Sequence, residues 1–117
     1  MNPFTPALRA LFAAAVTAVS FPAHAVTAEV VWHDPKCDFV LVKNEDGHGI
    51  VLKASPIDLK SGDVLDGALD QVGYFRRIAK VGTEETSMMR GMKYGVRRKV
   101  AVELISDWSS YCNPPEN

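Results

Sequence analysis

Leu59-Lys60-Ser61-Gly62-Asp63-Val64-Leu65-Asp66-Gly67-Ala68-Leu69 is the stretch of this 117-residue chain that decides the fold we predict. Ser61-Gly62-Asp63 is a strong turn signal, because glycine adopts positive φ without strain and aspartate can hydrogen-bond to its own backbone. The turn leads into an alternating segment in which Leu65, Gly67 and Leu69 share one face. Gly67 lacks a side chain, which lets a strand bend or another backbone come close. We therefore predict a bent strand in a small coiled β-barrel.

Short apolar or alternating segments separated by turn signals lie on both sides of this stretch, as is typical of one antiparallel β-domain. The predicted strands span residues 28–33, 37–43, 50–53, 63–71, 74–81 and 96–105. Asp46-Gly47 indicates a hairpin turn between the second and third strands. The last strand is predicted because even-numbered apolar residues from Val96 to Leu104 would form one face.

Residues 82–91 carry signals for a short helix between the fifth and last strands. Thr83 can cap the start of a helix, and the acidic residues Glu84 and Glu85 suit its positive end. Gly91 can end it. Because a helix of one to two turns is marginal alone, a long loop is the alternative.

This arrangement resembles the OB-fold barrel, with strands on either side of a Gly-Asp turn, Gly67 within a strand, and a short helix followed by a long strand. The resemblance covers about residues 37–105. It implies an all-β fold class, a small antiparallel barrel of five or six strands with room for one short helix. An SH3-like barrel and a small sandwich also fit the pattern.

Residues 1–25 have the three-part pattern of a secretory signal peptide. Arg9 is the only charged residue before Glu29, and an apolar run covers residues 10–19. Ala23-His24-Ala25 then provides the small residues of a cleavage site. An uncleaved membrane anchor is the alternative interpretation.

Cleavage after Ala25 leaves enough chain for one domain, which we place at residues 26–112. The polar residues 113–117 are predicted to form a disordered tail. No later segment has the apolar length of a transmembrane helix. We therefore predict a periplasmic or secreted protein that has no membrane span after signal cleavage.

The two cysteines, Cys37 and Cys112, both lie in the part predicted to be exported. An even pair in an oxidising compartment predicts a disulfide, with free thiols or a metal-binding pair as alternatives. Closing so long a loop would constrain the unfolded chain by about 4–5 kcal/mol. That is comparable with the whole stability of a small domain.

Charge is nearly balanced overall, at a formal net charge of −1, but it is segregated along the chain. Eight of the 13 basic residues lie between positions 76 and 99. Such segregation can steer an anionic partner to one face of a protein. It can also reflect ion pairs between acidic and basic strands.

Aromatic residues accompany the basic segment, and together they form the predicted ligand-binding surface. Its residues are Tyr74, Arg76, Arg77, Arg90, Lys93, Tyr94, Arg97 and Lys99. Aromatic rings stack on sugars and bases, and arginine binds anionic groups through paired hydrogen bonds. Strands of this kind can flank the ligand groove of an OB-like barrel. Since nucleic acid is not expected outside the cytoplasm, the predicted partner is an envelope protein, a glycan or an anionic head group.

Motifs for catalysis are missing from the chain after the predicted signal peptide. His33 and His48 lie in no recognisable nucleophile or metal motif, and Asp66-Gly67 lacks the hydroxyl residue of the aspartic-protease signature. No glycine-rich phosphate loop or zinc spacing is present. We therefore predict a binding module, or an inhibitor or immunity protein, that is not an enzyme and needs no cofactor.

A sulfur-rich group of residues provides the alternative function. Met88, Met89 and Met92, with His33, could bind Cu(I) or Ag(I), because thioethers favour soft metal ions. The composition resembles that of small periplasmic copper- and silver-binding chaperones, which are OB-like barrels. Their Trp-x-x-Met-x-Met run is absent here, and adaptable packing in the core also explains the methionines.

Overall fold

The computed structural model describes residues 25–116, so the predicted signal peptide lies outside the described residues except for Ala25. The elements, in chain order, are β1 (Val26–Trp32), β2 (Phe39–Asn44), β3 (Gly47–Lys53), β4 (Val64–Gly67), β5 (Phe75–Lys80), β6 (Thr86–Val96) and α1 (Arg98–Trp108). Within this part of the chain, no helix has both the length and the apolar character needed to span a membrane.

The six strands form a closed barrel in the order β1-β2-β3-β6-β5-β4, and every neighbouring pair is antiparallel. Two meanders, β1-β2-β3 and β4-β5-β6, are joined where β3 pairs with β6 and where β1 pairs with β4. Closure protects strand edges that would otherwise pair with other chains. The prediction of an all-β, antiparallel small barrel is confirmed.

The Ser61-Gly62-Asp63 turn starts the second meander and is hydrogen-bonded directly to β1. Gly62 has a φ of 97°, which glycine adopts without strain. Its N–H donates to the Val30 carbonyl at 2.9 Å, and the Val30 N–H donates to the Asp63 carbonyl at 2.7 Å. The Ser61 hydroxyl donates to the Val31 carbonyl at 2.9 Å. These bonds continue the β1–β4 ladder into the turn and so determine where β4 begins.

β4 is shorter than predicted, because the chain turns inward at Gly67 instead of continuing to residue 71. A Cβ at Gly67 would lie 3.3 Å from the Arg77 carbonyl oxygen and 2.5 Å from Cδ1 of Ile78, so the close backbone approach that we expected at this glycine is present. The next residues cross the end of the barrel towards Gly91 of β6. The Gly73 N–H donates to the Gly91 carbonyl at 2.8 Å. A Cβ at Gly91 would lie 3.1 Å from the Gln71 carbonyl oxygen and 3.2 Å from that of Leu69, so a side chain here would crowd the crossing.

Aliphatic side chains from all six strands fill the barrel interior. The buried residues of this cluster are Ala28, Val30, Val40, Val42, Val51, Ile57, Leu59, Leu65, Leu69, Ile78 and Met89. Ile57 and Leu59 come from the irregular connection before β4, and Leu69 comes from the segment after it. The stretch that opened our sequence analysis therefore supplies side chains that fill the barrel as well as a strand of its wall.

α1 packs on the outside of the barrel and forms a second apolar cluster with β2 and β3. The buried residues of this cluster are Cys37, Leu41, Ile50, Ala101, Val102, Ile105 and Cys112. The predicted disulfide is confirmed, with the Cα atoms of Cys37 and Cys112 5.3 Å apart. It ties the chain after α1 to the connection between β1 and β2.

The residues after the disulfide form no regular element, yet they contact α1. Pro114 is buried. Nη2 of Arg98 donates to the carbonyl of Pro115 at 3.0 Å. Of the tail that we predicted to be disordered, residues 113–116 are described, and their contacts extend as far as Pro115.

The predicted strand at residues 96–105 is wrong, because most of it is α1. Ala101, Val102 and Ile105 are buried at the i, i+1, i+4 spacing of a helix. The alternating pattern used even-numbered residues and left Ala101 and Ile105 unexplained, although both are 0 % exposed. Val100, which the pattern placed on the apolar face, is 39 % exposed.

The predicted helix at residues 82–91 is also wrong, because β6 begins at Thr86. Thr83 does act through its hydroxyl, which accepts the Glu85 N–H at 3.0 Å and donates to the Lys80 carbonyl at 2.8 Å. These bonds stabilise a tight turn between β5 and β6. A helix start and a short turn use the same side-chain chemistry, so the capping signal did not distinguish them.

Candidate functional site

The structure divides the eight residues of the predicted binding surface into two groups. Tyr74, Arg76, Arg77 and Arg90 lie where β5 begins beside the middle of β6. Lys93, Tyr94, Arg97 and Lys99 follow along the second half of β6 and the start of α1. At about 3.3 Å per strand residue, Arg90 is about 10 Å from Lys93 and about 20 Å from the end of β6. The two groups therefore follow each other along β6, and Arg97 and Lys99 lie farthest from Arg90.

The first group and its apolar neighbours form what we call the rim patch, which comprises Val72, Tyr74, Phe75, Arg76, Arg77 and Arg90. The pairing of β5 with β6 assembles it, since Phe75 lies directly opposite Arg90. Ile78 points into the barrel interior. Because side chains alternate along a strand, Phe75 and Arg77 lie on the outer face.

Two arginines of the rim patch lie over its aromatic rings. Cζ of Arg76 is 5.0 Å from the centroid of the Tyr74 ring, and Cζ of Arg90 is 5.8 Å from that of Phe75. Both distances are within the range of a cation–π interaction. Nε of Arg76 also donates to Oε1 of Gln71 at 3.0 Å. A guanidinium has five N–H donors, so stacking orients the charge and leaves donors for a partner.

Ion pairs between described residues do not involve the rim patch. Both are made by Lys80, whose Nζ lies 3.5 Å from a carboxylate oxygen of Asp63 and 3.5 Å from one of Glu85. Arg77 donates instead to the hydroxyl of Thr86 at 3.2 Å. Among the described residues, pairing between acidic and basic segments therefore accounts for Lys80 and not for the arginines of the rim patch.

The Lys80 ion pairs belong to a structural junction. Nζ of Lys80 also donates to the Asp58 carbonyl at 2.9 Å, which ties β5 to the connection before β4. The pKa of Asp63 is lowered, first because its carboxylate accepts the Lys60 N–H and then by the charge of Lys80, although desolvation opposes this. Desolvation alone would lower the pKa of Lys80, but the charges of Asp63 and Glu85 raise it.

The turn before β5 presents three apolar or aromatic side chains to solvent. Val72 is 47 % exposed, Tyr74 59 % and Phe75 44 %. Gly73 lies between them with a φ of 95°, and a Cβ placed on it would meet no atom within 4 Å. Sequence analysis missed Val72, which lies between two predicted strands, and Phe75, which it assigned only to the fifth predicted strand. The available signal was their position beside a glycine and directly before two arginines.

Tyr94, from the second group, is part of a hydrogen-bond network with the β2–β3 turn, at the end of the barrel where β6 ends and β5 begins. Its hydroxyl donates to Oδ2 of Asp46 at 2.7 Å and accepts from Nδ2 of Asn44 at 2.7 Å. Nδ2 of Asn44 also donates to the Thr27 carbonyl at 3.0 Å. Burial and the bond to Asp46 raise the pKa of Tyr94. These contacts tie β6 to the β2–β3 turn, so they give Tyr94 a structural role.

The residues of the alternative copper site lie in different parts of the fold. Met89 is in the barrel interior, whereas Met92 packs against the outer cluster beneath α1. Met88 lies on the outer face opposite Arg77. Nε2 of His33 donates to the Cys37 carbonyl at 3.2 Å, in the connection after β1. The alternative stays a prediction, and this geometry does not favour it.

Two surface depressions occur elsewhere on the described part of the molecule. One, of about 450 Å³, is lined by Thr27, Ala28, Glu29, Lys43, Asn44 and Val64. The other, of about 270 Å³, is lined by Asp38, Lys53, Ala54, Ser55 and Pro56. Among residues 25–116, no group of three or more His, Cys, Asp or Glu side chains is placed to hold a metal ion.

Comparison with protein-family models, with curated proteins and with solved structures finds no match for this chain. The functional argument therefore depends on the geometry of the rim patch and on the charges around it.

Proposed function

We propose that this protein is an exported binding module, without catalytic activity, that recognises an anionic partner in the cell envelope through the rim patch. The observation that carries the proposal is the set of contacts made by the arginine side chains of the rim patch. Arg76 and Arg90 lie over exposed aromatic rings, Arg77 donates to the Thr86 hydroxyl, and the ion pairs found among residues 25–116 are those of Lys80. The signal-peptide pattern of residues 1–25 and the Cys37–Cys112 disulfide support export.

Like charges held close together repel each other, and an anionic partner would relieve that repulsion. Arg77 and Arg90 lie on the outer face at one end of the β5–β6 pair, and Arg76 lies at the same end on the alternate face of β5. Stacking restricts the side chains of Arg76 and Arg90 before any partner arrives. A group that is already ordered loses less conformational entropy on binding, so the patch is preorganised for anion recognition.

The test compares two charge reversals of equal size in the exported protein. Arg76→Glu with Arg77→Glu changes the rim patch, and Arg97→Glu with Lys99→Glu changes exposed residues at the start of α1. We expect the first variant to lose binding to isolated envelope fractions and the second to retain it. Binding of the unchanged protein should weaken steeply with salt, because exposed charges are screened over about 10 Å at 0.1 M.

Equal losses in the two variants would show a general effect of net charge and would contradict the proposal. Binding that is insensitive to salt would contradict it as well. Circular dichroism of both variants provides the control for folding, since neither pair of residues is buried.

A further inference from the structure

We infer that the anionic partner is the surface of a lipid bilayer, into whose head-group region Val72, Tyr74 and Phe75 insert. This inference rests on the proposed function, because it assigns a partner class to the same rim patch. Protein and glycan partners are the competing outcomes of the test.

The first argument is the contiguity of the exposed apolar residues. Val72, Tyr74 and Phe75 surround Gly73 in one short turn, and each is at least 44 % exposed. The turn is anchored from below, because Gly73 bonds to Gly91 and Leu69 is buried in the barrel. Exposed apolar side chains held together on a rigid support usually indicate an interaction surface.

The second argument is shape. The turn projects into open space, since a Cβ placed on Gly73 would meet no atom within 4 Å. A stable protein partner needs a complementary surface of about 800 Å² on each side. A bilayer interface adapts to a projecting turn, so it needs no preformed complement. A small glycan would instead be expected to bind in a concave site.

The third argument is the arrangement of charge around the turn. Arg76 and Arg90 lie over Tyr74 and Phe75, so cationic and aromatic groups occupy the same end of β5. Arginines near a membrane surface are attracted to anionic lipids, while aromatic side chains prefer the interface itself. Asp70 lies two residues before Val72 at this end, where the three arginines of the rim patch outnumber it, and the exposed Glu84 lies in the turn at the other end of β5.

The test is co-sedimentation of the exported protein with vesicles of phosphatidylcholine alone or mixed with phosphatidylglycerol. Mass spectrometry first confirms that residues 1–25 are absent, because that apolar segment could bind lipid itself. We expect binding to the anionic vesicles and at least ten-fold weaker binding to the neutral ones. Val72→Ser with Tyr74→Ser should weaken binding at least ten-fold.

The matched control is Val81→Ser with Tyr111→Ser, which removes the same side-chain types from exposed positions outside the rim patch. This variant should bind like the unchanged protein. Equal losses in the two variants, or equal binding to neutral and anionic vesicles, would overturn the inference.

A further arm separates failure of this inference from failure of the proposed function. One possible result is that the protein does not bind anionic vesicles but binds envelope fractions, and that Arg76→Glu with Arg77→Glu abolishes this binding. The bilayer inference then fails and the proposed function stands. Loss of that binding after protease treatment of the fractions would then identify a protein partner, and loss after glycosidase treatment would identify a glycan. If neither vesicles nor envelope fractions bind, both proposals fail.

Discussion

The two ends of β5 carry cations in opposite circumstances. At one end Lys80 contacts two carboxylates and a backbone carbonyl, and it joins three segments of the chain. At the other end Arg76 lies over an exposed ring and donates to the neutral side chain of Gln71. The first cation is used within the fold, whereas the second is presented to solvent.

The difference shows that a run of basic residues in a sequence is not one feature. Lys80 and Arg76 project from the same side of β5 and are only four positions apart. Their roles differ because the turns at the two ends of β5 differ. Asp63 and Glu85 approach Lys80, while Tyr74 approaches Arg76.

The largest effect is expected from removing the internal support of the rim patch. Leu69 is 2 % exposed in the barrel interior and belongs to the segment that leads to the exposed turn. Leu69→Ala should lower the free energy of unfolding by about 2–5 kcal/mol, since it removes buried surface and leaves a cavity. Urea denaturation measures this change.

The control for Leu69→Ala is Val81→Ala, at a position that is 53 % exposed. It should change the free energy of unfolding by less than about 0.5 kcal/mol. Equal effects of the two substitutions would mean that Leu69 does not fill the barrel end.

A smaller effect is expected from exchanging cations for apolar side chains at the two ends of β5. Lys80→Met removes two ion pairs and the bond to the Asp58 carbonyl, so the urea midpoint should fall measurably. Arg77→Met removes one bond to an exposed hydroxyl and should change the midpoint less. If Arg77→Met proved the more destabilising, the contrast between the two ends would be wrong.

Much of the fold could be predicted from local signals, because turn chemistry and alternation act over a few residues. The Ser61-Gly62-Asp63 turn, the small antiparallel barrel and the disulfide were all predicted. β6 and α1 were interchanged, since Thr83 can organise either a helix start or a turn. In α1, alternation along valines concealed the helical spacing of Ala101 and Ile105.

The candidate site could be predicted only in part. Arginines and tyrosines are visible as residue types, but the partner of each depends on long-range pairing. The Tyr94 hydroxyl contacts side chains 48 and 50 positions away, at Asp46 and Asn44. Phe75 was missed because its exposure follows from the inward turn at Gly67 and the crossing over Gly91. The local signal, a position near a glycine and directly before two arginines, did not by itself show that exposure.

Acid should weaken the Lys80 end of β5. The pKa of Asp63 is lower in the fold than its ordinary value of 3.8. The contribution of this group is therefore complete above the unfolded pKa and is lost as pH falls through the folded pKa. Asp63→Asn retains an oxygen that can accept the Lys60 N–H and removes the charge, so it should reduce the loss of stability below about pH 4.

Two histidines add an earlier step to the same pH profile. Burial, with the nearby charge of Lys53 for His33 and of Arg98 for His48, lowers both pKa values below 6.5. The unfolded chain then binds protons before the fold does, so stability falls as pH drops below about 6.5. Thermal melts from pH 7.5 to 3 measure both steps. Persistence of the first step in the Asp63→Asn variant would separate the histidines from the Lys80 junction.

The smallest effect on stability is expected at the rim patch itself. The proposed function requires that its arginines contribute little to the free energy of unfolding. Arg76→Met with Arg77→Met removes two exposed charges, one stacking contact and three hydrogen bonds to neutral groups. An exposed cation–π contact contributes about 0.5–1 kcal/mol, and methionine retains part of the packing. The double variant should therefore lose at most about 1 kcal/mol while binding to envelope fractions falls at least ten-fold. A larger loss of stability with binding intact would make these arginines part of the scaffold, like Lys80, and the two ends of β5 would then have the same role.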